Sequence, residues 1–216
     1  ALEVVKAVSS SKRVNCVSWC VGGTITASAM AVLAARKDNT VSSATFLTTL
    51  TDFEDPGEIE VFLDDPDTVL GDVDAAGVLD GKNLANVFNM LRSNDLIWSN
   101  VVNSYLKGKS PAPFDILYWN SDPTSLPADM YKYYLTNMYL QNNLIKPDCL
   151  TICGEKINLR KIRAPCYFLS CIDDHIVPWK STFAATTIIP NVEFVLGGSG
   201  HVAGVINPAS KNRRNH

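Results

Sequence analysis

The stretch 15–23, which reads Asn-Cys-Val-Ser-Trp-Cys-Val-Gly-Gly, constrains the fold more than any other part of the chain. It predicts a strand, a sharp turn with Cys20 at its apex, and a helix that continues through the alanine-rich segment that follows. Gly22 and Gly23 would let the strand and helix backbones approach closely. The start of the helix would direct N–H groups and its positive dipole end at the Cys20 sulfur, which favours a thiolate. The stretch therefore predicts a cysteine nucleophile, with the Val21 N–H as one oxyanion donor.

Cys20 considered alone also fits a structural role. Most cysteines in folded proteins are small buried hydrophobes, and a lone turn pattern of this kind often arises by chance. The catalytic interpretation therefore depends on partner residues elsewhere in the chain.

The length and charge of the chain limit its function class. At 216 residues it is long enough for one domain with a substantial core. Its net charge of −3 and sequence pI near 5.6 argue against a surface for nucleic acid or anionic membranes. No apolar run approaches the length of a membrane span. We therefore expect a soluble protein without nucleic-acid partners.

The cysteines indicate a reducing environment. The chain opens without the pattern of a secretory signal peptide, so free thiols in the cytoplasm are the simplest expectation. Two Cys-x3-Cys pairs lack both the usual zinc spacing and a nearby histidine, so no metal is expected. The six cysteines are Cys16, Cys20, Cys149, Cys153, Cys166 and Cys171.

Strand and helix patterns alternate at both ends of the chain but not in its middle. Strands are predicted at 13–19, 41–50, 165–171 and 192–196. Residues 52–82 are rich in Asp, Glu, Gly and Pro and read as an exposed, partly mobile insertion, without the ligand order of an EF-hand. Residues 83–145 are rich in aromatics, with helices predicted around 83–107 and 128–143. The domain prediction is therefore a core at 1–51, a lid or cap at 52–150, and the remaining core at 151–216.

The aromatic-rich segment supports two interpretations. It is a small helical subdomain with its own core, or it is also a lid that excludes water from a site. The lid candidates are Trp98, Tyr118 and Trp119, and substrate-binding residues beyond these are not assigned.

Two further candidate residues follow predicted strands in the last part of the chain. Asp174 follows the strand at 165–171, and His201 lies in a glycine-rich loop after the strand at 192–196. The order nucleophile, acid, histidine is the one that α/β-hydrolase enzymes use. His201 would act as general base, and Asp174 would orient its ring. The alternatives are a solvated histidine and a turn-capping aspartate, and Asp173 and His175 are assigned structural roles.

The whole chain resembles the catalytic domain of polyhydroxyalkanoate synthases. The resemblance rests on these stretches: Cys-Val-Gly-Gly-Thr at 20–24, Leu-Thr-Thr-Leu-Thr-Asp-Phe at 47–53, Asn-Asp-Leu-Ile-Trp at 94–98, Tyr-Leu-Lys-Gly at 105–108, Pro-Phe-Asp-Ile-Leu-Tyr-Trp-Asn at 113–120, Asp-His-Ile-Val-Pro-Trp at 174–179, and Gly-His-Val-Ala-Gly-Val-Ile-Asn-Pro at 200–208.

This resemblance implies a fold, an activity and a set of partners. The fold would be an α/β-hydrolase fold, represented by the second half of its sheet and a helical lid insertion. The activity would be polymerisation of (R)-3-hydroxyacyl-CoA with Cys20 as acyl carrier, Asp174 as acid and His201 as base. No cofactor is implied, since the coenzyme A thioester is itself the substrate. The implied partners are the growing polyester, its granule surface in the cytoplasm, and a second copy of the chain. The stretch 139–143 is similar to the short-chain branch, which favours 3-hydroxybutyryl-CoA.

Two departures from the family pattern accompany the resemblance. Family members have glycine where this chain has Ser18, so we expect a slightly strained turn. The match also begins well inside the family pattern, so early strands and the second oxyanion donor would lie outside these residues. We therefore expect a fragment whose Cys20 strand has an exposed, unpaired edge.

Two rival functions remain open at this point. The first is a thioesterase or polyester hydrolase on the same fold. The second is a non-enzymatic role, in which an inactive chain binds granules or a full-length synthase.

Overall fold

Two units make up the chain. The first unit comprises Ala1–Glu60 and Thr136–His216, and the second comprises Val61–Leu135. The second unit lies within the insertion predicted at 52–150, while residues 52–60 and 136–150 at the two ends of that insertion belong to the first unit. The computed structural model describes residues 1–63, 65–91, 93–110, 122–208 and 210.

A four-stranded parallel sheet forms the centre of the first unit. The strands lie in the order β1–β2–β3–β4, which confirms the four predicted strands. The second strand ends at Leu47, earlier than predicted, because Thr48 adopts a left-handed φ of 44° that an extended strand cannot continue. The strand bounds are β1 Val14–Trp19, β2 Val41–Leu47, β3 Cys166–Cys171 and β4 Val192–Gly197.

The core of this sheet lies on its two central strands. Phe46 of β2 and Phe168 of β3 pair in register, and neither exposes any surface to solvent. Their rings stack with centroids 4.4 Å apart and an interplanar angle of 16°. Burial of two aromatic side chains at this point fixes the register of β2 against β3. The first strand lies at the edge of the sheet, where Val17 is 72% exposed.

Helices flank the strands of the first unit. The helix α1 spans Leu2–Ser9 and α2 spans Val21–Ala35. Helix α2 begins at Val21, directly after Cys20, as the sequence predicted. Further helices and short strands of this unit include the 3-10 helix Gly57–Leu63, which continues into the second unit, the 3-10 helix Leu159–Lys161, the helices Trp179–Phe183, Ala185–Ile188 and Ala203–Ile206, and the hairpin Thr151–Ile152 with Glu155–Lys156.

The second unit is mainly helical. The acidic stretch predicted as an exposed insertion contains the helix Pro66–Ala76, whose Asp74 forms an ion pair with Lys132 at 2.8 Å. A two-stranded antiparallel sheet pairs Val78–Leu79 with Leu126–Pro127. Other helical segments in the described part of this unit are Gly81–Leu91, a π-helical turn at Asn94–Trp98, Ser99–Val101, a π-helical turn at Val102–Leu106, and Ala128–Tyr134. The π-helical turn Leu135–Leu140 follows and continues into the first unit.

Among the described residues, no helix is both long enough and apolar enough to cross a lipid bilayer.

Candidate active site

Cys20 lies at the apex of a sharp turn between β1 and α2, which confirms the predicted strand, turn and helix. Its φ of 52° and ψ of −126° are unusual for a residue with a side chain. The Cys20 N–H donates to the Leu47 carbonyl at 2.9 Å, and the Cys20 carbonyl accepts from the Gly23 N–H at 2.9 Å. These two hydrogen bonds hold the strained backbone in place. The Ser18 hydroxyl donates to the Thr45 carbonyl at 3.2 Å, so serine is accommodated before the turn.

The start of α2 directly follows the residue that carries the thiol. Val21 is the first residue of a 15-residue helix, so its N–H belongs to the first-turn amides that have no carbonyl partner within the helix. Cys20 is the N-cap residue of α2, so the positive end of the helix dipole begins at the residue that carries the thiol. This arrangement can stabilise negative charge on the sulfur and on an oxyanion formed next to it.

Thr49 is a positioning residue that the sequence reasoning did not identify. Its hydroxyl lies 3.2 Å from the Cys20 carbonyl oxygen and 3.1 Å from that of Leu47, and the residue is completely buried. It fills the space that a Cβ at Gly23 would need. The sequence signal for Thr49 is its place in the Leu-Thr-Thr-Leu-Thr stretch at 47–51, which is part of the family resemblance but suggests no role for this residue.

Asp174 follows β3 and is held by the backbone of its own loop. One carboxylate oxygen, Oδ1, accepts from the N–H groups of Ile176 and Val177, each at 2.9 Å. The other, Oδ2, lies 2.8 Å from His201 Nδ1. The Asp174 side chain is fully shielded from solvent, and that of His201 is 11% exposed. The carboxylate therefore fixes the orientation of the imidazole ring.

His201 links Asp174 to Cys20. Burial of the ring lowers its pKa, but hydrogen bonds to Asp174 and to Cys20, together with their negative charges, outweigh burial and raise the pKa to about 10. Because Nδ1 faces Asp174, the ring nitrogen left for Cys20 is Nε2. The structure thus brings Cys20, His201 and Asp174 into one contact chain. This arrangement can hold an imidazolium beside a thiolate.

The loop that carries His201 is tightly packed through Gly204. A Cβ at Gly204 would meet the sulfur of Cys171 and the carbonyl oxygen of Gly198. The Gly204 N–H donates to the Gly200 carbonyl at 2.8 Å, which closes the turn around His201. Gly204 was part of the motif at 200–208, but only the fold reveals its contact with Cys171.

The neighbours of the candidate acid differ from it in environment. Asp173 is exposed, and its N–H donates to the Ser199 carbonyl at 3.0 Å. His175 is half-buried.

Of the lid candidates, Trp98 lies in the second unit and is 58% exposed. Tyr118 and Trp119 lie outside the described residues. The lid therefore stays a prediction.

The other thiols differ from Cys20 in environment. All six cysteines are free. Burial raises the pKa values of Cys166 and Cys171 to about 11, and the negative charges of Asp174 and Asp173 add to the effect at Cys171. Burial also raises the pKa of Cys16. These three thiols are poor nucleophiles at neutral pH.

Comparisons with known proteins identify the fold and a set of close relatives. The model of a family described as alpha/beta hydrolase fold matches residues 2–208. A poly(3-hydroxyalkanoate) polymerase subunit PhaC from Cupriavidus necator is 47% identical over 224 residues, which cover 100% of this chain and 38% of that protein. The protein of the same name from Rhizobium meliloti is 42% identical over 216 residues, 99% of this chain and 35% of that protein. The chain thus spans little more than a third of these relatives.

Among solved structures, an alpha/beta fold family hydrolase from Bacillus anthracis is similar in fold. The TM-score is 0.52 at 12% sequence identity, and the match covers 98% of this chain and 69% of that one.

Proposed function

The chain belongs to the α/β-hydrolase family, and we propose that it carries the catalytic residues of a polyhydroxyalkanoate synthase. Such an enzyme is an acyltransferase that joins (R)-3-hydroxyacyl units and releases coenzyme A. The observation that carries the proposal is the contact chain from Asp174 through His201 to Cys20. Identity to named polymerases along the whole chain supports the choice of reaction.

The first step is acyl transfer to the enzyme. The Cys20 thiolate attacks the carbonyl carbon of the acyl-CoA thioester, and the Val21 N–H donates to the oxyanion that forms. The carbon–sulfur bond to coenzyme A then breaks, and the His201 imidazolium gives its proton to the departing thiolate. The acyl group remains on Cys20 as a thioester, so its activation is preserved.

The second step lengthens the polymer. Neutral His201 takes the proton of a 3-hydroxyl group on another unit, and the oxygen attacks the Cys20 thioester. An ester bond forms, the bond to the sulfur breaks, and the thiolate is regenerated beside the imidazolium. Asp174 holds the ring in one tautomer and stabilises its charged form in both steps.

The proposed substrate is an (R)-3-hydroxyacyl-CoA, and 3-hydroxybutyryl-CoA is the favoured case. Similarity of the stretch 139–143 to the short-chain branch of the family supports this choice. The acyl and proton transfers of both steps use Cys20, His201 and Asp174, with the Val21 N–H as oxyanion donor, and no cofactor is proposed. On the same resemblance we place the protein in the cytoplasm at polyester granules, as a homodimer.

Release of coenzyme A from 3-hydroxybutyryl-CoA tests the proposal. We expect release with polymer formation by the unchanged protein, loss of both in Cys20→Ala, and retention in Cys149→Ala, which removes an exposed thiol. Free 3-hydroxybutyrate as the main product would support the hydrolase alternative. Folded protein that binds granules and releases no coenzyme A would support the non-enzymatic one.

A further inference from the structure

A cavity lies at the opposite end of the sheet from the candidate active site. Its volume is about 490 Å³, and its walls include Arg13, Val41 and Pro165, which stand at the starts of β1, β2 and β3. Strand β1 is 6 residues long, which at roughly 3.3 Å per residue separates the cavity from Cys20 by about 20 Å. The cavity is therefore a separate place from the proposed site of acyl transfer.

The floor of the cavity is apolar. Met30, Val41 and Ile162 line it, and they are 4%, 7% and 2% exposed, respectively. Its volume falls within the range of small-molecule sites, roughly 300–1,000 Å³. A ligand here could bury a short apolar portion against these three side chains.

The rim of the cavity is strongly basic in a chain that is acidic as a whole. The single carboxylate in the lining, Asp38, accepts from both the hydroxyl and the N–H of Thr40, and these hydrogen bonds lower its pKa. One negative charge therefore faces four positive ones, while the chain carries a net charge of −3. The basic residues of the lining are Arg13, Lys37, Lys161 and Arg163.

Six carbonyl groups of the lining already accept hydrogen bonds. Arg13 Nε donates to the Asn39 carbonyl at 3.0 Å, and its Nη2 donates to that of Val41 at 3.4 Å. The Leu33 and Ala34 carbonyl groups accept from the N–H groups of Asp38 and Lys37, in that order. The Arg163 carbonyl accepts from Asn191 Nδ2, and the Pro165 carbonyl accepts from the Ala44 N–H. Each of these six carbonyl groups therefore has one lone pair fewer to offer a cationic ligand.

Donors, in contrast, remain in surplus. Among the residues that the structure describes, the side chains of Lys37 and Arg163 have no ion-pair partner. Lys161 pairs with Asp148 at 3.1 Å, but both side chains are about half exposed, and such surface pairs are weak and exchangeable. A guanidinium and an ammonium group at one cavity are suited to the oxygens of a phosphate or carboxylate.

We propose that this cavity binds a small amphiphilic anion, whose phosphate or carboxylate group contacts Lys37 and Arg163 and whose apolar portion lies over Met30 and Ile162. The site is independent of the proposed acyl-transfer reaction. Its ligand is selected by an anionic head and a short apolar part.

Titration of the isotope-labelled protein with hexyl phosphate at low ionic strength, followed by amide NMR shifts, tests the proposal. We expect saturable shifts at the amides of Lys37, Asp38 and Arg163, and binding at least tenfold tighter than that of 1-hexanol or inorganic phosphate. Arg163→Gln and Lys37→Gln should each weaken binding by about tenfold, since each removes a charge-assisted contact. A parallel titration with hexanoate identifies the preferred head group, and binding of either anion supports the site.

Lys156→Gln is the matched control, because Lys156 is exposed on the hairpin and outside the cavity lining. It should change binding by less than twofold. Equal weakening by Lys156→Gln, shifts confined to other residues, or equal binding of 1-hexanol would overturn the proposal. The proposal would also be overturned if Lys37→Gln lowered thermal stability but bound hexyl phosphate as tightly as the unchanged protein. Lys37 would then serve only to offset the negative dipole end of α2.

Discussion

The side chain of Thr49 occupies the space next to Gly23 that any larger residue at that position would need. The same threonine hydroxyl lies 3.2 Å from the carbonyl oxygen of Cys20. Thr49, two residues beyond the end of β2, therefore sets both how closely α2 approaches the sheet and how Cys20 is oriented.

Gly23→Ala should damage both stability and catalysis. The new methyl group must displace Thr49 or the start of α2, and overpacking of this kind costs about 1–3 kcal/mol. A shift of the thiol by about 1 Å should lower the rate of coenzyme A release by on the order of 100-fold. Urea denaturation and initial rates measure the two effects. Gly22→Ala is the matched control: among the described residues, apart from its chain neighbours and the backbone of its own helix, no atom lies within 4 Å of its Cβ position. Equal damage by both variants would contradict the packing argument.

Thr49→Val separates the hydroxyl from the bulk of the side chain. Valine keeps the volume but leaves the carbonyl groups of Cys20 and Leu47 without the threonine hydroxyl, so the free energy of unfolding should fall by about 1–2 kcal/mol. The rate of coenzyme A release should also fall, because the strained turn loses a restraint.

Thr51→Val provides the comparison for Thr49→Val. The buried Thr51 hydroxyl has no hydrogen-bond partner in the part of the chain that the structure describes. Its replacement should therefore leave stability unchanged or slightly raise it. A loss at Thr51 as large as that at Thr49 would show that the Thr49 hydrogen bonds are not the cause.

Asp174→Asn should lower the rate by on the order of 10³–10⁴-fold, because the imidazolium loses its buried counter-charge and the ring its preferred tautomer. Asp173→Asn is the matched control: Asp173 is exposed, and its hydrogen bond to Ser199 is made by its backbone N–H, which the substitution keeps. It should retain activity within a few-fold. Comparable losses in the two variants would contradict the assignment of Asp174.

Asp174→Asn should also change how the free energy of unfolding depends on pH. Burial lowers the pKa of His201, but the contacts with Asp174 and Cys20 raise it from 6.5 to about 10. A raised histidine pKa stabilises the fold fully below pH 6.5, and this contribution is lost as the pH rises through about 10. Unfolding free energies measured between pH 6 and 10 should therefore fall by a few kcal/mol in the unchanged protein and less in Asp174→Asn. Parallel pH profiles of the two proteins would argue against the raised pKa.

Gly204→Ala should move the His201 loop. Its Cβ would meet the Cys171 sulfur and lie 2.6 Å from the Gly198 carbonyl oxygen, so the short helix after His201 must shift. We expect at least a tenfold loss of the rate. Cys171→Ala in the same chain should restore part of the activity, because it removes one of the two obstacles. If the double variant recovers no activity while Cys171→Ala alone is normal, the Cys171 contact is not an obstacle and the Gly198 carbonyl accounts for the loss.

The sequence predicted the strand ends that carry the candidate residues better than the contacts that position them. Cys20, Asp174 and His201 were found because each follows a recognisable strand, and parallel strands bring such ends to one edge of a sheet. Thr49 and Gly204 were missed because their roles come from contacts with Gly23 and Cys171, which lie far away in sequence.

The basic cavity was missed for a related reason. The charged residues at 13, 37, 161 and 163 are far apart in sequence and resemble ordinary surface residues, and only the folded sheet brings them to one cavity. The helical turns of the second unit were also hard to predict, because a π-turn results from a single extra residue in a helix and leaves no periodic signal.

The order of strands in the sheet has a consequence for folding. Strand β1, helix α2 and strand β2 are adjacent in sequence, so the turn at Cys20 can form through local contacts. The pairing of Ala44 with Cys166 joins distant parts of the chain, and such contacts form slowly because a long loop must close first. Asp174 and His201 follow β3 and β4, so they come close to Cys20 only after β3 has paired with β2. During refolding, we therefore expect Cys20 to be ordered before His201, and recovery of the proposed activity would report completion of the sheet.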